Sequence, residues 1–118
     1  MNNIAFVFIG GGIGSLFRYG IAELFRNNWK SNFPVATLCS NVLSCIILAL
    51  TVGYFAKADL NPGIKTFILV GICGGFSTFS TFSFETVELM RSGNLAVAIS
   101  NVLISVIVCL ALIWFIVK

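Results

Sequence analysis

The side chains with the most chemistry to offer are gathered in residues 71–85, which read GICGGFSTFSTFSFE. Five hydroxyls and four phenylalanines follow a pair of adjacent glycines. Hydroxyl hydrogens and aromatic ring edges both carry partial positive charge, which suits an anion. Phe76, Phe79 and Phe82 recur every third residue, so on a helix they step slowly around one side. Ser77, Ser80, Thr81 and Ser83 lie between them. Gly74 and Gly75 weaken helical geometry at this point, because glycine gives up the most backbone freedom in a helix. The whole stretch lies inside an apolar run. A broken helix at membrane depth is tolerated only where its backbone is buried in protein or lines a watery cavity. The residues therefore predict an ion-handling site in a membrane channel. Ordinary packing of phenylalanine, common in bilayers, is the competing reading, and it does not account for the interleaved hydroxyls.

The elements that must position this stretch are membrane spans. The chain has 118 residues, 58% hydrophobic and 9% charged, with a mean hydropathy of +1.05. A soluble domain carries about 25% charged residues. Each span takes about 20 residues, so four spans use most of the chain as a single membrane domain. The expected spans are residues 4–25, 34–55, 64–90 and 95–117, the third broken near its middle. This is an all-α integral membrane protein with no room for a soluble domain. A cleavable signal peptide is not expected, since the first residues lack its basic region.

Several chemistries are excluded. The net charge of +3 is spread out, with no basic run for nucleic acid. There is no histidine, so a histidine metal site or proton relay is absent. No nucleophile–base pair or phosphate loop is visible, and an enzyme reading has no support. The four cysteines, Cys39, Cys45, Cys73 and Cys109, fall in apolar runs with no C-x-x-C spacing. They read as small packing residues, with Cys109 a candidate pore neighbour.

Each span carries its own polar exceptions. In the first, Gly10 and Gly14 form a G-x-x-x-G spacing that admits another helix closely. Arg18 follows, with Tyr19 and Glu23 nearby. It reads equally as an interface anchor or as a positive vestibule that attracts anions. Trp29 and Lys30 mark the following connection as interfacial. Asn41 in the second span is either a helix–helix hydrogen-bond partner or a pore-lining amide donor. Gly71 and Gly75 repeat the G-x-x-x-G spacing in the third span. Glu85 there reads as an interfacial carboxylate bonded to a hydroxyl. Asn101, Ser105 and Cys109 share one face of the fourth span, as a packing stripe or as a hydrogen-bonding rail along a pore.

Loop charges give no clear orientation. Lys57, Lys65 and Lys118 would lie on the side of the termini. Arg26, Lys30 and Arg91 would lie on the other, with Arg18 as a potential fourth. Orientation normally follows an excess of Lys and Arg on cytoplasmic loops. Near balance predicts insertion both ways up, and hence an antiparallel, two-fold symmetric dimer. Four short helices hardly enclose a pore alone.

With these residues in hand, the chain resembles the Fluc (CrcB-like) fluoride channels over nearly its whole length. Residues 10–19, GGGIGSLFRY, are similar to the family's G-G-x-x-G-A-x-x-R-Y, with Ser15 in place of Ala. Residues 33–41, FPVATLCSN, are similar to F-P-x-G-T-L-x-x-N, with Ala36 in place of Gly. Residues 71–82, GICGGFSTFSTF, are similar to G-x-x-G-G-F-T-T-F-S-T-F, with Ser77 in place of Thr. The resemblance implies a dual-topology homodimer in the plasma (inner) membrane with two antiparallel fluoride paths. It implies a structural sodium ion held by the backbone carbonyls of Gly74 and Ser77. It places Phe79, Phe82, Asn41, Ser80 and Thr81 in the pore and Arg18 in the vestibule. Asn101, Ser105 and Cys109 fall loosely where the family has a polar rail, and a thiol is a poorer donor than a hydroxyl.

The implied function is physically coherent. Fluoride is small and tightly hydrated, so a pore must replace its water with donors. Amide, hydroxyl and ring-edge groups can do so, and a narrow lining would exclude larger anions. Fluoride that enters a cell as the neutral acid is trapped by dissociation, and a passive channel lets the anion leave. Two rivals stand beside this reading. A small multidrug-resistance-type, proton-coupled exporter needs a membrane-embedded carboxylate, and Glu85 is the remote candidate. A noncatalytic membrane assembly subunit would explain the glycine pairs but not the hydroxyl–phenylalanine interleaving.

Overall fold

Apolar runs of this length have one way to satisfy their backbone in lipid, which is to become helical. In a computed structural model, which describes residues 2–28, 31–53, 59 and 61–118, they do so. Helix α1 covers Asn3–Asn28 and α2 covers Val35–Gly53. The third span, Pro62–Arg91, is composite. It begins as α3 (Pro62–Thr66), widens into a π-helical stretch (Phe67–Ile72), and tightens again as α4 (Cys73–Phe76). It then resumes as α5 (Phe79–Arg91). Helix α6 covers Leu95–Val117. These make four helical segments long and apolar enough to cross a membrane, and the longest dimension of the molecule is 49 Å.

Local signals set the boundaries. Asn2 Oδ1 accepts from the Ala5 amide at 2.9 Å, and Asn61 Oδ1 from the Gly63 amide at 2.7 Å. Both satisfy amides that a helix start leaves unpaired. Pro62 sits in the first turn of α3, where its missing N–H costs nothing. At the end of α5, Gly93 adopts φ +87°. Its amide donates to Met90 O at 3.3 Å and the Asn94 amide to Leu89 O at 2.8 Å. This closed glycine turn folds α6 back against α5. The spans agree with expectation to within a few residues. Trp29, Lys30, Lys57 and the end of the expected second span (residues 54–55) lie outside the described residues.

The interior is made mostly of small and polar side chains, with Phe76 and Leu89 the large apolar residues buried among them. Ser40, Ser44, Ala49, Ala98 and Asn101 are buried, whereas Leu95, Ile99, Leu103, Ile107, Leu110 and Trp114 on α6 are exposed. That distribution inverts a soluble core and suits helices whose large side chains face lipid. Helix α1 packs on the first half of the third span, and α6 packs on both α2 and α5. The two glycine pairs are the seam of the first contact. A β-carbon on Gly71 would lie 2.8 Å from Gly10 Cα. One on Gly14 would run into the Ile72 carbonyl oxygen, and one on Gly75 into the Gly11 carbonyl oxygen. Only glycine lets these backbones touch.

Candidate functional site

The interruption of the third span falls two residues beyond the position at which the glycines suggested it. Gly74 and Gly75 are helical, and Gly75 serves the seam with α1. The extended residues are Ser77 (φ −81°, ψ 157°) and Thr78 (φ −150°, ψ 124°). The periodicity of Phe76, Phe79 and Phe82 is therefore cut. Phe76 is buried and packs on Phe17, with ring centroids 5.9 Å apart. Phe79 and Phe82 belong to the next helix and lie 5.9 Å from each other.

The break is held by side chains from α1 and α2 and by its own Ser77 and Thr78. The Cys73 carbonyl accepts from the Ser77 amide at 3.0 Å, the Ser77 hydroxyl at 2.7 Å and the Ser44 hydroxyl at 3.0 Å. Asn41 faces the backbone of Thr78 with both ends of its amide. Its Oδ1 accepts from the Thr78 N–H at 2.7 Å, and its Nδ2 donates to the Thr78 carbonyl at 3.3 Å. Arg18 Nε donates to the Gly75 carbonyl at 3.0 Å. Thr78 then restarts the helix, its hydroxyl accepting from the Thr81 amide at 3.1 Å. Backbone groups freed at membrane depth thus receive partners, as the low-dielectric setting requires.

Two carbonyls at the break are treated differently. None of these hydrogen bonds goes to Gly74 O or Ser77 O. Gly74 is exposed, and a β-carbon built on it would meet nothing of this chain within 4 Å. Carbonyl oxygens outside these hydrogen bonds are hard donors of the kind that suit a hard cation, so these two positions are compatible with the sodium ligands that the resemblance implies. Among the described residues there is no cluster of three or more His, Cys, Asp or Glu able to hold a metal.

Thr78 separates two cavities and lines both. One, of about 320 Å³, brings together Asn41, Cys45, Ser77, Phe79, Phe82, Ser105 and Cys109. The other, of about 440 Å³, is lined by Arg18, Arg26, Thr37, Ser40, Thr81 and Glu85 among others. The expected pore residues are therefore divided. Asn41, Phe79, Phe82, Ser105 and Cys109 share the first cavity, whereas Arg18 and Thr81 face the second. Ser80 lines neither; it is exposed, with its hydroxyl 3.3 Å from that of Thr78. Glu85 approaches Thr37, and its Oε1 is buried without a hydrogen-bond partner among the described residues.

The fourth-span residues form a relay toward the phenylalanines. Ser105 Oγ donates to Asn101 Oδ1 at 3.3 Å, and Asn101 Nδ2 donates to Thr86 Oγ1 at 3.0 Å. Thr86 Oγ1 donates to the Phe82 carbonyl at 2.8 Å. Asn101 is 1% exposed and sits in the seam between α5 and α6, where it ties the Phe82 turn to α6. Sequence reasoning passed over Thr78 and Thr86. Thr78 had a readable signal, since a helix that restarts needs a capping hydroxyl. Thr86 had none, because its role depends on which helix α5 meets.

These features define a multi-pass membrane protein whose third span is interrupted beside a cavity lined by amide, hydroxyl and phenylalanine groups. The chain belongs to the family described as CrcB-like protein, Camphor Resistance (CrcB), whose profile matches residues 5–117. It is 40% identical over 114 residues to the fluoride-specific ion channel FluC of Shewanella halifaxensis, covering 97% of this chain and 92% of that one. It is 40% identical over 112 residues to FluC 1 of Yersinia pestis, covering 94% and 87%. With FluC of Flavobacterium psychrophilum the identity is 34% over 115 residues, covering 97% and 93%. This is a family of channels and not of enzymes.

Proposed function

We propose that this chain is a fluoride-selective passive channel that lets cytoplasmic fluoride leave the cell and so relieves its toxicity. The observation that carries the reading is the cavity that joins Asn41, Phe79, Phe82 and Ser105 beside the break. It supplies the Asn41 amide and the ring edges of Phe79 and Phe82 as donors at membrane depth, the groups a dehydrated small anion needs, while the Ser105 hydroxyl donates to Asn101. Relatives named as fluoride-specific channels support the choice of ion. Arg18 and Thr81, in the adjoining cavity, would form the approach. Asn41 has one amide hydrogen beyond the bond to Thr78, which is available to the ion.

The working unit in this reading is an antiparallel homodimer with two pores, built from one four-span membrane domain per chain. Phe79 is 80% exposed on the isolated chain, so one wall of its cavity is open and a second copy would close it. Gly74 presents a bare backbone on the exposed surface, which would allow close approach of a partner. Gly74 O and Ser77 O would hold the structural sodium. Bound there, the cation supplies fixed positive charge that offsets the cost of an anion at the midplane.

The test is passive efflux from liposomes loaded with fluoride or with chloride, read by ion electrodes, with valinomycin to release the potassium potential. Rapid fluoride loss without chloride loss and without a proton gradient is the expected result. No fluoride loss from verified folded protein would overturn the reading.

A further inference from the structure

We propose that Cys45 and Cys109 form a two-thiol site for a soft, thiophilic divalent cation, with mercury(II) as the representative ligand, in the wall of the phenylalanine cavity. Both residues line that cavity, one from α2 and one from α6. The two helices pack directly on each other, which sets the two thiols in one wall of the same cavity. Both are free cysteines. The other two differ in setting. Cys73 is 3% exposed and turns its sulfur to the Ser44 carbonyl at 3.6 Å. Neither Cys73 nor Cys39 lines the cavity.

The chemistry selects the ligand class. Thiolates prefer soft metals. No third His, Cys, Asp or Glu joins the pair among the described residues, so a tetrahedral zinc site is not formed and a two-coordinate metal is favoured. Charge then discriminates among two-coordinate metals. Each thiol loses its proton to water as its sulfur–metal bond forms. Two S–H bonds break, two S–Hg bonds form, and the product carries no net charge. A monovalent soft cation between the same two thiolates would leave a net negative charge at membrane depth, which is costly. It would also repel an anion in the cavity.

The consequence for transport rests on the channel reading: a metal held in this wall narrows the cavity beside Phe82 and stops fluoride flow. Binding itself does not depend on that reading, so the decisive experiment measures it directly. Purified protein in detergent is titrated with mercuric chloride, following sulfur-to-mercury charge-transfer absorption and proton release. The expected result is about one tight equivalent per chain and about two protons per metal. Cys45→Ser or Cys109→Ser should each lower the release from about two protons per metal to about one, since a lone thiol still displaces one chloride of mercuric chloride, while Cys39→Ser leaves the two-proton equivalent intact. A two-proton equivalent that persists in the Cys45→Ser/Cys109→Ser protein, or one that disappears with Cys39→Ser, overturns the site. Should a substituted protein fail to fold, maleimide labelling of the wild type decides the question. Mercury must protect Cys45 and Cys109 together, and protection of neither overturns the site. In liposomes, mercury should block fluoride efflux reversibly upon addition of a dithiol. Absent fluoride efflux from untreated protein would count against the channel reading alone, because the titration stands without it.

Discussion

Asn41 can act on the ion or on the backbone, and its two bonds to Thr78 make the difference measurable. Asn41→Ala deletes the acceptor that holds the Thr78 N–H at 2.7 Å. A buried amide left unpaired costs about 1–3 kcal/mol, an upper range for the half-buried Thr78 amide. At 1.4 kcal/mol per tenfold, that corresponds to roughly 5- to 150-fold easier local opening. Amide hydrogen exchange at Thr78, read by NMR or by fragment-resolved mass spectrometry, should accelerate by up to that factor. Exchange in the middle of α6 should not change. Asn41→Asp keeps an oxygen where the Thr78 N–H needs it and gives up the weaker donation to the Thr78 carbonyl at 3.3 Å. It should retain most of the protection. Unchanged exchange at Thr78 in Asn41→Ala would refute the bracing role. Loss of fluoride flux with unchanged exchange would assign Asn41 to the ion directly.

Other substitutions separate packing from transport. Phe82→Ile removes the ring but keeps apolar bulk, and should abolish or sharply reduce fluoride efflux while a folded protein still elutes as one species; normal efflux would remove Phe82 from the mechanism. Gly75→Ala forces a β-carbon against the Gly11 carbonyl oxygen, and overpacking of this kind costs about 1–3 kcal/mol, to be read as earlier unfolding in mixed detergent micelles. Gly74→Ala adds a β-carbon that meets nothing within the chain, so the monomer should keep its stability and any loss should fall on sodium-dependent dimerisation; an intact, sodium-stabilised dimer would argue against the close approach of a partner at Gly74. Thr86→Val leaves the Asn101 amide without its acceptor and should cost about 1 kcal/mol, recovered by Thr86→Ser.

Much of this arrangement was legible because lipid leaves few options. Span number and approximate limits follow from run length and from the need to satisfy every backbone group. The pairing of Gly10 and Gly14 with Gly71 and Gly75 could be anticipated as close packing, since G-x-x-x-G has one common physical use in membranes. Its partner helix could not, because the same spacing fits any smooth surface. The location of the break was read from the wrong cause. Glycine permits a break without requiring one, and Gly74 and Gly75 stay helical. Asn41 of α2 takes the Thr78 amide that would have continued the ladder, and Ser44 of α2 joins the local Ser77 hydroxyl on the Cys73 carbonyl. The two contacts from α2 are tertiary, invisible to a local pattern.

The same logic explains why polar residues in this chain carry two meanings at once. Asn41 was open between a helix–helix hydrogen-bond partner and a pore donor, and Arg18 between an interface anchor and a vestibule charge; the geometry gives each a backbone partner inside the protein without removing the ionic reading. Arg18 reaches the Gly75 carbonyl through Nε alone, which leaves its remaining guanidinium N–H groups for the cavity it lines. Asn41 spends its oxygen and one N–H on Thr78 and keeps one N–H. A donor fixed in this way cannot turn to follow an ion or to satisfy itself elsewhere, which is the condition for replacing water around a small anion. In the proposed channel, bracing the break and lining the path would be one requirement, because the extended backbone at Thr78 gives Asn41 the two partners that hold its amide in place.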